Sequence, residues 1–175
     1  MESLLLVTPT KDHERAALEY RQEHFDNGEM LLHGSSLFDI IESYNLWLDH
    51  LKANASPATV QEGWVVSSTF FGIRESDGRI VGMIDIRHTL NDFLRNNGGH
   101  IGYGVRPSER FKGYATRMLE LALEKCRQLG LERVMLACEK ENTASRKTIM
   151  KCGGGLEREF EHSDGKTVQV FWITI

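Results

Sequence analysis

Residues 100–119, HIGYGVRPSERFKGYATRML, constrain this chain more than any other stretch. A strand over His100–Val105 starts after Gly98-Gly99 and stops at Pro107. A helix then begins near Gly113, with Ala115, Met118, Leu119, Ala122, Cys126 and Leu129 on one face and Gly130 as its terminator. A helix start presents unpaired backbone N–H groups and the positive end of a macrodipole, so a diphosphate is a natural guest. Gly113 has no Cβ to keep phosphate oxygens away, and Ala115 is small. Arg106, Arg110, Lys112 and Arg117 stand here against the single acid Glu109, a local positive excess. The segment reads as an anion cradle.

The rest of the chain supplies an α+β frame. Residues 3–7 (SLLLV) read as a short buried strand, followed by a polar-rich helix from Thr10 to about Phe25 and a loop containing Gly28 and Gly34. Leu37, Ile40, Ile41, Tyr44, Trp47, Leu48 and Leu51 recur at helical spacing after Ser36-x-x-Asp39, predicting a second helix with a packed face. Trp64–Arg74 and Arg79–His88, joined by Glu75-Ser-Asp-Gly78, give the strongest hairpin signal. Glu132–Cys138 reads as a buried strand, Asn142–Lys151 as a short helix, and about 156–162 and 167–174 as two last strands. The order β-α-α-β-β-β-α-β-α-β-β suits helices on a mainly antiparallel sheet.

Bulk properties narrow the class. The 175 residues fit one domain spanning 1–175, since no linker or repeat divides them. A net charge of −4 provides no global field for nucleic acid or an anionic membrane. The N-terminal MESLLLV lacks a basic flank and a cleavage site, and its apolar run is too short to span a bilayer. Cys126, Cys138 and Cys152 are odd in number, without a C-x-x-C pair, as expected of reduced thiols in the cytoplasm. No H-E-x-x-H metal motif, G-x-S-x-G nucleophile elbow or G-x-x-x-x-G-K-[ST] loop is present, so zinc hydrolase, serine hydrolase and nucleotide-binding readings lack their motifs.

Arg110-Phe111-Lys112-Gly113-Tyr114-Ala115 resembles the Arg/Gln-x-x-Gly-x-Gly/Ala signature of the GNAT superfamily of N-acetyltransferases. Downstream, Asn142-Thr-Ala-Ser145-Arg-Lys-Thr-Ile149-Met-Lys-Cys-Gly153 is similar to the family's Asn-x-x-Ser-x-x-x-Tyr-x-x-x-Gly stretch. The run GGHIGYGVRPSERFKGYAT is similar to a bacterial subgroup of predicted acetyltransferases. The resemblance implies an α/β/α sandwich around a mixed, mainly antiparallel twisted sheet of about seven strands. It also implies acetyl-CoA as cosubstrate and a small-molecule or peptide amine as acceptor, and it allows a homodimer. On this resemblance Tyr103, Gly104 and Val105 would expose backbone to the pantetheine, and Arg110–Ala115 would wrap the diphosphate. Thr116 would add a hydroxyl, and Asn142 and Ser145 would border the pantetheine arm, although both are also good helix-capping types.

The catalytic positions depart from the family's pattern. Its acidic tyrosine falls on Ile149, and two glutamate base sites fall on Gly99 and Ala137. Amine attack still needs a proton acceptor, because a lysine-like amine (pKa about 10.4) is protonated at neutrality. His100 at the strand start ranks first as a substitute and Glu139 second, followed by His88 and Asp85; Tyr103 and Tyr114 are candidate acids. Cys138 has no neighbouring His and reads as core rather than nucleophile. The unfilled positions keep a second reading open, a catalytically silent acyl-CoA-binding sensor. Glu19, Glu23, Asp26, Glu29, Asp39 and Glu42 could attract a cationic amine, or form a solvated acidic face.

Overall fold

The computed structural model describes residues 2–175. Seven strands form two antiparallel sheets, ordered β1-β2-β3-β4 and β5-β7-β6. The first contains β1 (Leu4–Val7), β2 (Ser67–Arg74), β3 (Ile80–Arg87) and β4 (Ile101–Val105); the second contains β5 (Arg133–Glu139), β6 (Gly155–Glu161) and β7 (Thr167–Thr174). Five helices accompany them: α1 (Glu14–Asp26), α2 (Tyr44–Asn54), α3 (Asp92–Asn97), α4 (Tyr114–Gln128) and α5 (Thr143–Lys151).

The β2–β3 hairpin forms where its turn chemistry predicts. Gly78 takes a positive φ of 71°, Asp77 Oδ1 accepts the Arg79 amide at 3.1 Å, and Ser67 pairs with Arg87 across the ladder. Trp64–Val66, expected within the strand, lie before it. Alternation along β3 divides the core in two. Ile84 and Ile86 pack towards Met118, Leu119 and Ala122 of α4, whereas Met83 packs with Tyr20 of α1 and Tyr44 and Trp47 of α2. The sheet is thus sandwiched between helical layers. Glycines 72 and 82 let α4 approach: a Cβ at either would stand 2.6 Å from an atom of the Met118 side chain.

Three expectations are corrected, and one helix is added. The second helix begins at Tyr44, not near Leu37, because Ser36 and Leu37 are left-handed (φ 49° and 68°) and Ser43 is the N-cap, its Oγ accepting the Leu46 amide at 3.2 Å. Ile40, expected on the packed face, is 70% exposed as a result. Leu129 closes α4 as its C-cap and is 44% exposed, since Gly130 (φ 80°) turns the chain before it can pack. The expected buried strand 3–7 is half right in burial: Leu4 is inside and Leu5 exposed. Helix α3, capped by the Asn91 side chain on the Leu94 amide (2.9 Å), was not anticipated, for six residues give too little periodicity. Among the described residues no helix is long and apolar enough to cross a membrane.

The cap shift can be measured. Ser43→Ala should cost about 1 kcal/mol in urea unfolding, as loss of an N-cap oxygen usually does. Ser36→Ala should cost less than half of that.

Candidate active site

The two sheets meet at one point and then part. The His100 amide donates to the Met135 carbonyl at 2.8 Å, and the Met135 amide donates to Nδ1 of the His100 ring at 2.9 Å. Gly99 makes one isolated bridge to Leu136. Beyond this clamp β4 and β5 share no ladder, and a cleft of about 1210 Å³ opens between Ile101–Val105 and Leu136–Glu139. β4 is an edge strand there. The Arg106 amide bonds Val81 of β3 at 2.8 Å, so by alternation the Tyr103 and Val105 backbone groups face the gap.

The donor-side wall is the start of α4 and the first turns of α5. Gly113 is the N-cap of α4 with φ 87°, a conformation that a side chain would strain. Gly113, Tyr114, Ala115 and Thr116 line the cleft, and the first amides of this 15-residue helix have no intrahelical acceptor. They fit a diphosphate. The cationic excess expected around them is not available to it, because every one of the four cations has an acidic partner. Arg106 binds Glu23 (2.5 Å), Arg110 binds Glu29 through both Nη atoms (2.6 Å each), Lys112 binds Glu109 (2.9 Å) and Arg117 binds Glu120 (3.2 Å). Phe111 is 99% exposed with φ 62°, and the Tyr114 ring is buried with its hydroxyl on Glu2 (2.8 Å) and Arg74 (3.1 Å). What this loop offers an anion is backbone.

Asn142 caps α5, its Oδ1 accepting the Ser145 amide at 3.1 Å. The Ser145 Oγ lies 2.9 Å from the Tyr103 hydroxyl. Burial pushes that phenol up to about 12, with the Ser145 hydrogen bond opposing it, so Tyr103 keeps its proton at neutrality. Thr116 is buried. Cys138 lines the cleft, and burial raises its thiol, which disfavours the thiolate.

The opposite wall is the loop between α1 and α2. Glu29, Met30, Leu31, His33 and Gly34 cross β4 on the face away from Tyr103; a Cβ on Gly104 would stand 2.8 Å from the His33 carbonyl. Arg110 ties this loop to the donor side through Glu29, whose carboxyl is held at about 2 by Arg110 despite partial burial. The turn between β6 and β7 closes the far side with His162, Asp164 and Lys166.

Of the expected catalytic residues, Glu139 lines the cleft, ion-paired to Lys166 at 2.7 Å. His100 does not. It is 5% exposed behind the cleft, its Nδ1 lone pair is occupied by Met135, and burial, with Arg95 and Arg87 nearby, pulls it to about 4. Its work is to hold the strands together. His88 bonds Ser68 (2.8 Å) and Asp85 is buried beneath Arg87; neither lines the cleft. The structure instead brings in His33 and Arg87, which carried no motif. Of the acids proposed to draw a cationic amine only Glu29 lines the cleft, and Arg110 neutralises it.

The sequence profile of the acetyltransferase (GNAT) family matches residues 36–153, two thirds of the chain. The chain belongs to that family. It is accordingly an acyltransferase, with acetyl-CoA as its cosubstrate. Solved structures agree in fold. The microcin C7 self-immunity acetyltransferase MccE, in complex with acetyl-CoA and AMP, has a TM-score of 0.73 at 15% identity, over 100% of this chain and 94% of that one. The Salmonella typhimurium acetyltransferase that modifies the N-terminal serine of ribosomal protein L7/L12 gives 0.68 at 17%, over 99% and 95%. The dodecameric spermidine N-acetyltransferase of Vibrio cholerae gives 0.65 at 16%, over 98% and 93%. No curated protein matches the sequence significantly.

The clamp sets an acid limit on stability. With the His100 imidazole near 4 when folded and about 6.5 when unfolded, the unfolded chain binds more protons between those values. Its contribution is complete above pH 6.5 and falls as pH drops towards 4, by up to about 3 kcal/mol. Urea unfolding at pH 7, 5.5 and 4.5 should show this slope, and His100→Gln should flatten it.

Proposed function

We propose that this acetyltransferase passes the acetyl group to a primary amine by direct attack within a ternary complex. The observation that carries the reading is the unfinished ladder: β4 presents a backbone edge that no strand pairs to a cleft that ends at the α4 N-terminus. An extended amide-bearing chain can pair with such an edge as an added strand does. On this reading the Tyr103 amide and carbonyl and the Val105 amide hold the pantetheine arm, the Val105 carbonyl being taken by Arg110 Nε at 3.1 Å. The amides of Gly113, Ala115 and Thr116 hold the diphosphate, Gly104 keeps the strand slim, and Asn142 and Ser145 shape the arm's other side. Arg110, Phe111, Lys112 and Tyr114 support the loop rather than supply charge.

Acetyl-CoA supplies an activated thioester carbonyl, and the chain's own groups manage the protons. Tyr103 stands on the α5 face of β4 and His33 on the opposite face. His33 takes the proton that the attacking amine sheds. Tyr103 gives its hydroxyl proton to the sulfur as the carbon–sulfur bond breaks, replacing the tyrosine missing at Ile149. Glu139, a weaker base and bound to Lys166, orders the turn at the cleft's far side. A raised Cys138 thiol gives no support to an acetyl-cysteine intermediate.

Titration with acetyl-CoA by calorimetry should give micromolar binding, lost by 100-fold or more in Gly113→Glu at unchanged secondary structure. Absence of wild-type binding would end this reading. For proton transfer, His33→Gln and Tyr103→Phe should each lower kcat at pH 7 by about 100-fold, within the usual range of general acid–base catalysis. Acetyl-CoA affinity should stay within threefold in both, and Cys138→Ala should keep most of the activity.

A further inference from the structure

The acceptor half of the cleft holds one cation that the reaction as described does not use. Arg87, on β3, lies across the Gly102 position of β4: a Cβ there would stand 3.5 Å from both Nη atoms, in van der Waals contact with the guanidinium. Its side chain is 25% exposed and lines the cleft. The inner edge is fixed. Nε lies 3.1 Å from Asp85 Oδ2, Asp85 is itself buried and accepts from Thr69 Oγ1 at 2.8 Å, and Nη1 reaches the Gly99 carbonyl at 3.4 Å. Among the described residues Nη2 has no hydrogen-bond partner. A guanidinium anchored at Nε with adjacent Nη donors to spare is a fork shaped for a carboxylate.

The other charges in the cleft point the same way. Its acids are all engaged: Glu29 with Arg110, Glu109 with Arg74, Glu139 with Lys166, and Asp164 with His162. A polycationic amine finds no free anion there. Gly102 and Gly104 share one face of β4, about 7 Å apart along the strand. The Arg87 guanidinium lies against the first and the backbone carbonyl of His33 over the second. That interval suits an amine and a carboxylate on one carbon, each reaching its partner through a hydrogen bond.

We propose that Arg87 is the acceptor-recognising residue and that the acceptor is an amine carrying a carboxylate, of the α-amino-acid class. The inference rests on the acetyltransferase reading above. An α-amine suits such a site, for its ordinary pKa of about 7.7–8 leaves part of it neutral at pH 7.

The test is release of free CoA thiol from acetyl-CoA with matched acceptors: alanine, alaninamide and ethylamine; phenylalanine, phenylalaninamide and phenethylamine; and spermidine. The acid of at least one trio should exceed its amide and its decarboxylated amine at least tenfold in kcat/KM. Arg87→Gln should erase that advantage through KM, Arg87→Lys should restore part of it, and acetyl-CoA affinity by calorimetry should not move. Equal or better turnover of the amides, plain amines or spermidine overturns the proposal, as does a loss in Arg87→Gln shared by all three members of a trio. If nothing turns over while acetyl-CoA binds, the same acids are titrated into the CoA-loaded protein. Failure to bind there overturns the carboxylate preference and leaves the donor half of the reading standing. Failure of acetyl-CoA itself to bind overturns both.

Discussion

One backbone bond and one bond from a backbone amide to a histidine ring hold β4 against β5 at Met135, and no ladder pairs them afterwards. The rest of the site depends on that divergence. Each strand is satisfied on its other side, β4 by β3 and β5 by β7, so the sheets can part without losing either ladder. The cost falls on the facing edges, whose amides and carbonyls are left in need of partners. Water meets that need in the free protein; a ligand with its own amides meets it while giving up little. His100 places the parting at a fixed residue. A ring buried, neutral and bonded at Nδ1 is suited to that task and ill suited to shuttling protons.

A second constraint comes from charge. The segment that looks most basic in sequence spends its cations on holding itself in place. Arg106 and Arg79 grip Glu23 of α1, Lys112 and Arg74 grip Glu109, and Arg110 grips Glu29 in the opposite wall. Those pairs join α1, the β2–β3 hairpin and the loop before α4 into one frame. Within it Gly113 can keep a left-handed conformation, and the helix start is aimed at the cleft. Attraction for an anion then resides in oriented N–H groups rather than in mobile side chains, which must be ordered before they can bind.

Much of this was legible in the chain. The hairpin, the strand ending at Val105, the glycine-led helix and the Asn142 helix start all follow from turn chemistry and periodicity acting over neighbouring residues. What escaped depends on contacts distant in sequence. Ser36 looks like a cap in sequence, but Tyr44 and Trp47 pack into the α1 layer and the helix starts after Ser43. His100 has the right residue type and neighbourhood for a base, but its bond to Met135 spans 35 positions and no local pattern encodes it. His33 and Arg87 carry no motif and come to one face of β4 from a loop and a strand distant in sequence.

Gly102 and Gly104 explain how so short a strand can serve two substrates. Along Ile101–Val105 the backbone edge faces the gap, the Tyr103 side chain points to α5, and residues 102 and 104 point the other way. A Cβ at 104 would press on the His33 carbonyl at 2.8 Å, and one at 102 would touch the Arg87 guanidinium at 3.5 Å. On the proposed reading, one face of the strand then holds the Tyr103 phenol for the departing sulfur and the other carries His33 for the incoming amine. The reacting carbonyl then needs only to lie along the edge between them. Proton donor and proton acceptor are kept apart by the thickness of a single strand, so each can serve its own substrate without neutralising the other.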